Sequence, residues 1–154
     1  MTYRITGIDP APYRHLFGLS DEELASEGVV RMTVTDTGFP CRVSLTDRAL
    51  GESVLLVNHV SHDVANPYRA SHAIFVTEGA EVPAEYVDEV PPVFGPRVLS
   101  LRAFDKDGMM ADAALAQPGE AEAAIRRLFE NPEIETIHAH NAARGCFSAK
   151  IERH

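Results

Sequence analysis

His138 and His140 stand one residue apart, and Cys146 follows six residues after the second, in the segment IETIHAHNAARGC. On a strand two such imidazoles project from one face and can share a metal ion. A zinc centre needs three or four ligands, so Cys146, Cys41, His59, His62 or His72 would have to converge on the pair. The register of the hairpin that holds them decides the matter. With 141–145 as a five-residue loop, Thr136, His138, His140, Cys146, Ser148 and Lys150 share one face and Ile137, Ala139, Phe147, Ala149 and Ile151 the other. That clean polar and apolar split favours histidines facing solvent and no metal site. A four-residue loop, 142–145, with Gly145 in the left-handed conformation, turns both histidines toward Phe147 and buries them.

Two further groups of residues offer chemistry. Cys41, in FPCRVSL, is followed by Arg42, whose charge favours a nucleophilic thiolate; with a histidine in reach the two would form a Cys-His pair. Packing is the simpler role for Cys41. Arg42, Arg69, Arg97, Arg102 and Arg144 fall near loops or strand ends, where they can gather on a carboxylate or phosphate, and Tyr68 beside Arg69 adds an aromatic wall. Dispersed, the same arginines form ordinary surface ion pairs with the many acids. DKDG, at 105–108, starts like a calcium loop, but Ala103 and Ala114 stand where that loop needs acids. No glycine-rich phosphate loop or serine elbow is present.

The elements that must position these residues are those of one domain spanning 1–154. A chain of this length buries roughly 68–70% of its unfolded surface, and 45% hydrophobic with 24% charged residues is ordinary globular usage. The net charge of −9, from 23 acids against 14 bases, disfavours nucleic acid and anionic membrane surfaces as partners. No apolar run approaches a membrane span, MTYRITGIDP lacks the pattern of a signal peptide, and the expectation is a cytoplasmic protein with both cysteines reduced.

SVLLVNHV, with four consecutive apolar residues, reads as a central strand, and TYRITGI, VVRMTVTD and AIFVT as further strands, with a loop over 61–72. Ser20 and Glu23 form a capping box for a short helix. The segment 78–96 reads as an ordered surface loop with one helical turn starting at Pro83. DKDG makes the turn of a hairpin; 118–130 is the main helix, with Ala121, Ala124, Ile125, Leu128 and Phe129 on one stripe. The fold expected is α+β: a mostly antiparallel twisted sheet of about six or seven strands with the 118–130 helix on one face.

The stretches FPCRVSL, GESVLLVN, PYRASHAIFV, LRAFDKDGMM and HNAARGC together resemble a bacterial family, domain of unknown function 1203. The resemblance implies a small single-domain protein and brings no activity, cofactor or catalytic residue with it. It points to Cys41, Arg42, Tyr68 and the Asn141–Cys146 turn rather than to the His-x-His pair. The function expected is a binding module for a small anionic ligand or a protein partner, using Arg42, Tyr68, Arg69 and Asn141, with no cofactor. The alternative is a small metal- or thiol-dependent enzyme built on His138, His140 and Cys146 or Cys41.

Overall fold

Residues 1–154 are described throughout by a computed structural model, which contains eleven strands and two short α-helices. In chain order they are β1 (Tyr3–Thr6), α1 (Asp21–Ser26), β2 (Val30–Thr33), β3 (Pro40–Cys41), β4 (Thr46–Asp47), β5 (Ser53–His62), β6 (Ala70–Thr77), β7 (Glu85–Val87), β8 (Leu99–Phe104), β9 (Met110–Ala116), α2 (Ala121–Leu128), β10 (Thr136–Asn141) and β11 (Phe147–Arg153). Short 3-10 helices lie at Ala11–Leu16 and Pro92–Phe94, so the helical turn of the 78–96 segment starts at Pro92 rather than Pro83.

The strands form two sheets, where the sequence suggests one. The first runs β7-β1-β11-β10-β8-β9 and the second β2-β5-β6-β3-β4. Neighbours are antiparallel except for β3 and β6, which are parallel. Two features conceal the second sheet. Strands of two or three residues, as in β3, β4 and β7, are too short to show a period. In addition, β5 and β6 extend into both ends of the stretch read as loop, since β5 continues to His62 and β6 already begins at Ala70.

Each sheet has its own apolar core. On the first, Leu101, Ile137, Ala139 and Ile151 pack against Ile125, Leu128 and Phe129 at the helix α2. The helical stripe was legible, although regular helix is confined to Ala121–Leu128 within the expected 118–130. On the second, Leu55, Val57, Ile74 and Val76 are covered by Leu16 and by Leu24 of α1, a helix that starts with the expected Ser20–Glu23 capping box.

The two sheets meet through aromatic rings. His62 stacks on Phe104 with centroids 4.0 Å apart and meets His138 edge-on at 5.1 Å. His72 meets His140 at 4.9 Å, and His59 lies 5.9 Å from Phe147. The expectation of solvent-facing histidines is therefore overturned: His138 is 4% exposed and His140 2%. The polar face of β10 is real, but the second sheet covers it.

The register explains how both halves of the hairpin reading were partly right. Asn141 N–H donates to Cys146 O (2.9 Å) and Gly145 N–H to Asn141 O (2.7 Å), closing the four-residue loop 142–145 with Gly145 at φ 80°. His140 then pairs with Phe147. A bulge next to that pair shifts the register by one, so His138 lies opposite Lys150 and Ala139 opposite Ala149. Beyond the bulge the polar and apolar faces are those of the five-residue alignment.

A buried imidazole stays neutral because burial disfavours its charged form. Burial, together with His62, His140, Lys150 and Arg102, pushes His138 down to about 3. His140 is pushed down to about 4, mainly by burial, with its Gly145 carbonyl contact opposing. His59 and His72 are lowered in the same direction, first by burial. Between these values and about 6.5 the unfolded chain binds more protons than the folded one, so stability is complete near pH 7 and falls on acidification. Urea denaturation is expected to show a loss of about 2 kcal/mol for each of His138 and His140 between pH 7 and pH 5. Equal stability at the two pH values would show that the imidazoles are not held neutral by the fold.

Candidate functional site

Next to the edge strand β4, Pro40 and Cys41 of β3 pair with β4 and β6, and the chain then turns through 42–45, closed by Leu45 N–H donating to Cys41 O (2.9 Å). Two neighbouring segments clasp this turn. Ile8 N–H donates to Arg42 O (2.9 Å) and Ala84 N–H to Val43 O (2.8 Å). Gly7 passes so close that a Cβ there would lie 2.0 Å from Val43 O and 3.0 Å from Arg42 O. Only glycine permits the approach.

The clasp aims the Arg42 side chain inward, where it is 2% exposed. Its Nε donates to Phe147 O (2.9 Å), Nη1 to Pro40 O (2.7 Å) and Nη2 to Cys146 Sγ (3.2 Å). No carboxylate pairs with it. Burial holds this guanidinium below its ordinary value, while the Cys146 sulfur opposes the shift and Arg97 adds to it. An arginine nevertheless remains a cation at neutral pH. Asn141 Nδ2 also donates to Cys146 Sγ, at 3.4 Å, and Asn141 Oδ1 is buried without a hydrogen-bond partner.

These groups line a cleft of about 610 Å³ between the outer face of the second sheet and the 141–146 turn. Met32, Leu56 and Phe75 give it an apolar floor; Arg42, His72, Arg97, Asn141, Arg144 and Cys146 supply the polar wall. No acidic residue lines it. Arg97 is already neutralised by a two-pronged pair with Asp47, whereas Arg144 is exposed and free of ion pairs. The cleft thus offers two cations without counter-ions above an apolar surface.

Of the residues singled out from sequence, Arg42, His72, Arg97, Asn141, Arg144 and Cys146 come together here. Tyr68 and Arg69 do not: Tyr68 leans on Phe104 at 6.2 Å and Arg69 pairs with Asp63 at 3.3 Å in the exposed 63–69 loop. Cys41 is fully buried in the second core, where its sulfur accepts from Thr77 N–H at 3.4 Å. Burial pushes its thiol up, but hydrogen bonds from Thr77 and Ser44 outweigh this and bring it below its ordinary value. Arg42, the neighbour expected to activate Cys41, reaches Cys146 instead. Both cysteines are free thiols.

His138 and His140 belong to the layer between the sheets, not to the polar wall of the cleft. His140 Nδ1 lies 2.9 Å from Gly145 O and so carries the proton, bracing the turn from beneath. No three His, Cys, Asp or Glu side chains are grouped to hold a metal ion. Sequence reasoning missed the apolar floor and Gly7; Met32 and Phe75 gave no local sign of their role, because Arg42 and Cys146 meet across 104 positions of chain.

Gly7→Ala is expected to cost about 1–3 kcal/mol in urea denaturation by prising the N-terminal segment from the Arg42 turn. Gly95→Ala, whose added Cβ would meet nothing nearer than 3.5 Å, serves as the control and stays near wild type. Equal effects of the two would refute the clasp.

The family model described as a protein of unknown function, DUF1203, matches residues 38–153. That span contains every polar residue of the cleft wall. No curated protein and no solved structure matches the chain.

Proposed function

The chain belongs to the DUF1203 family, and on that premise we propose that it binds a small carboxylate-bearing molecule with an apolar body, seated in the Arg42 cleft. One observation carries the reading. A cation 2% exposed, without a carboxylate partner, forms the wall of an acid-free cleft. Burying such a charge is unfavourable unless an anion answers it, and a ligand carboxylate beside Arg42 and Arg144 answers it. The apolar floor takes the rest of the ligand. In a chain of net charge −9 the acid-free cleft stands out against a surface rich in acids, which favours an anion there over most of that surface.

The working compartment in this reading is the cytosol, where both thiols stay reduced. No helix is long and apolar enough to cross a membrane. For the metal-enzyme alternative, His62 and His72 lie against the histidine pair, but no three such side chains are grouped to hold a metal ion. Its thiol form survives through Cys146 alone.

Isothermal titration with benzoate, neutral benzamide and cationic benzylamine tests the proposal. Benzoate is expected to bind about tenfold or more tightly than benzamide, the equivalent of about 1.4 kcal/mol for a charge-assisted bond, and benzylamine not at all. Arg144→Ala, a change at an exposed side chain, weakens benzoate while leaving the fold intact. Benzylamine binding as well as benzoate, or silence from all three, would overturn the reading.

A further inference from the structure

We infer that Cys146 is the reactive group of the cleft and forms a mixed disulfide with small disulfides that carry a carboxylate. The inference rests on the anion-binding reading above, whose carboxylate contact it uses to orient the incoming disulfide.

Cys146 is the one thiol that reaches the cleft, since Cys41 is fully buried. Two N–H donors converge on its sulfur, from Arg42 at 3.2 Å and Asn141 at 3.4 Å. The attacking species in thiol–disulfide exchange is the sulfur anion, and donors so placed hold an anionic sulfur in position. The charge of the guanidinium that donates to the sulfur is also unanswered: it is 2% exposed, its other donors end on the neutral Phe147 and Pro40 carbonyls, and it has no carboxylate partner. Arg144, two residues from Cys146 and free of ion pairs, stands at the rim to take a ligand carboxylate.

The step balances with no further reactant. The Cys146 thiol gives its proton to water, and Sγ attacks one sulfur of the disulfide. A new Sγ–S bond forms, the ligand's S–S bond breaks, and its second sulfur leaves as a thiolate. Cys146 is oxidised and the departing sulfur reduced. With Cys41 sealed in the core, no second thiol of the chain is at hand to displace the adduct, so the mixed disulfide persists until an external thiol attacks it.

The test compares two aromatic disulfides on the native protein, dithiobis(nitrobenzoate), which carries carboxylates, and dithiodipyridine, which is neutral. The ratio of their rates is divided by the same ratio for free cysteine. The expected result is one adduct per chain, mapped to Cys146 by peptide mass, with a normalised ratio about tenfold or more above one. Arg144→Glu, at an exposed position, brings that ratio back to one or below. An unreactive native protein, modification at Cys41, or a normalised ratio of one in the wild type would each overturn the inference. Benzoate titration of the wild type separates the two failures. Benzoate binding without thiol reaction removes the mixed disulfide and leaves the binding reading standing, whereas absence of benzoate binding removes the reading beneath it.

Discussion

A buried guanidinium without a carboxylate is the constraint on which the cleft and the meeting of the two sheets both depend. Arg42 leaves the five-stranded sheet at the end of β3, and its donors end on Phe147 O and Cys146 Sγ at the start of β11 in the six-stranded sheet. Phe147 in turn is the ring on which His59, His138 and His140 pack. One side chain therefore connects the end of β3, the bulged hairpin and the histidine layer. Carbonyls and a sulfur can satisfy its hydrogen bonds, but they supply no full counter-charge at neutral pH unless the sulfur ionises.

The layer between the sheets works by a different balance. Its imidazoles spend their polar atoms locally: Tyr13 Oη lies 2.6 Å from His59 Nδ1, His62 Nε2 lies 2.9 Å from Gly108 O, and His140 reaches Gly145 O. Burial and a hydrogen bond are thus obtained from one side chain. His138 is the exception, with Nδ1 buried and unpartnered, and it is also the histidine pushed furthest from its ordinary value. His62, on β5, contacts the turn that follows β8 and so ties a loop of the six-stranded sheet to the five-stranded one, whereas His140, on β10, braces the turn of its own hairpin.

Much of the framework was legible in the chain, and the reasons it was are local. The α2 stripe, the DKDG hairpin turn and the Ser20 capping box are patterns within a few residues of one another, and each forms where its pattern lies. The second sheet was not legible, because two-residue strands have no period and because histidine suits a wet face as well as a buried one. A signal was present all the same. His59, His138 and His140 fall on segments that read as strands from the sequence, and His62 and His72 prove to lie on strands as well. Arg42, Asn141 and Cys146 could be named from the resemblance, but their meeting rests on tertiary contacts. Tyr68 and Arg69 look equally suited as a pair and face elsewhere.

The central claim is that the Arg42 guanidinium is the cleft's anchor for an anion, and its own Nε–H resonance reports on it. Held at 2.9 Å from Phe147 O in a buried site, that proton is expected to exchange slowly and give a resolved nitrogen-correlated signal. Titration with benzoate then shifts this signal and that of Arg144 together, along one saturating curve, and leaves Arg69 unmoved. A benzoate-induced shift at Arg69 with Arg42 unchanged would contradict the account.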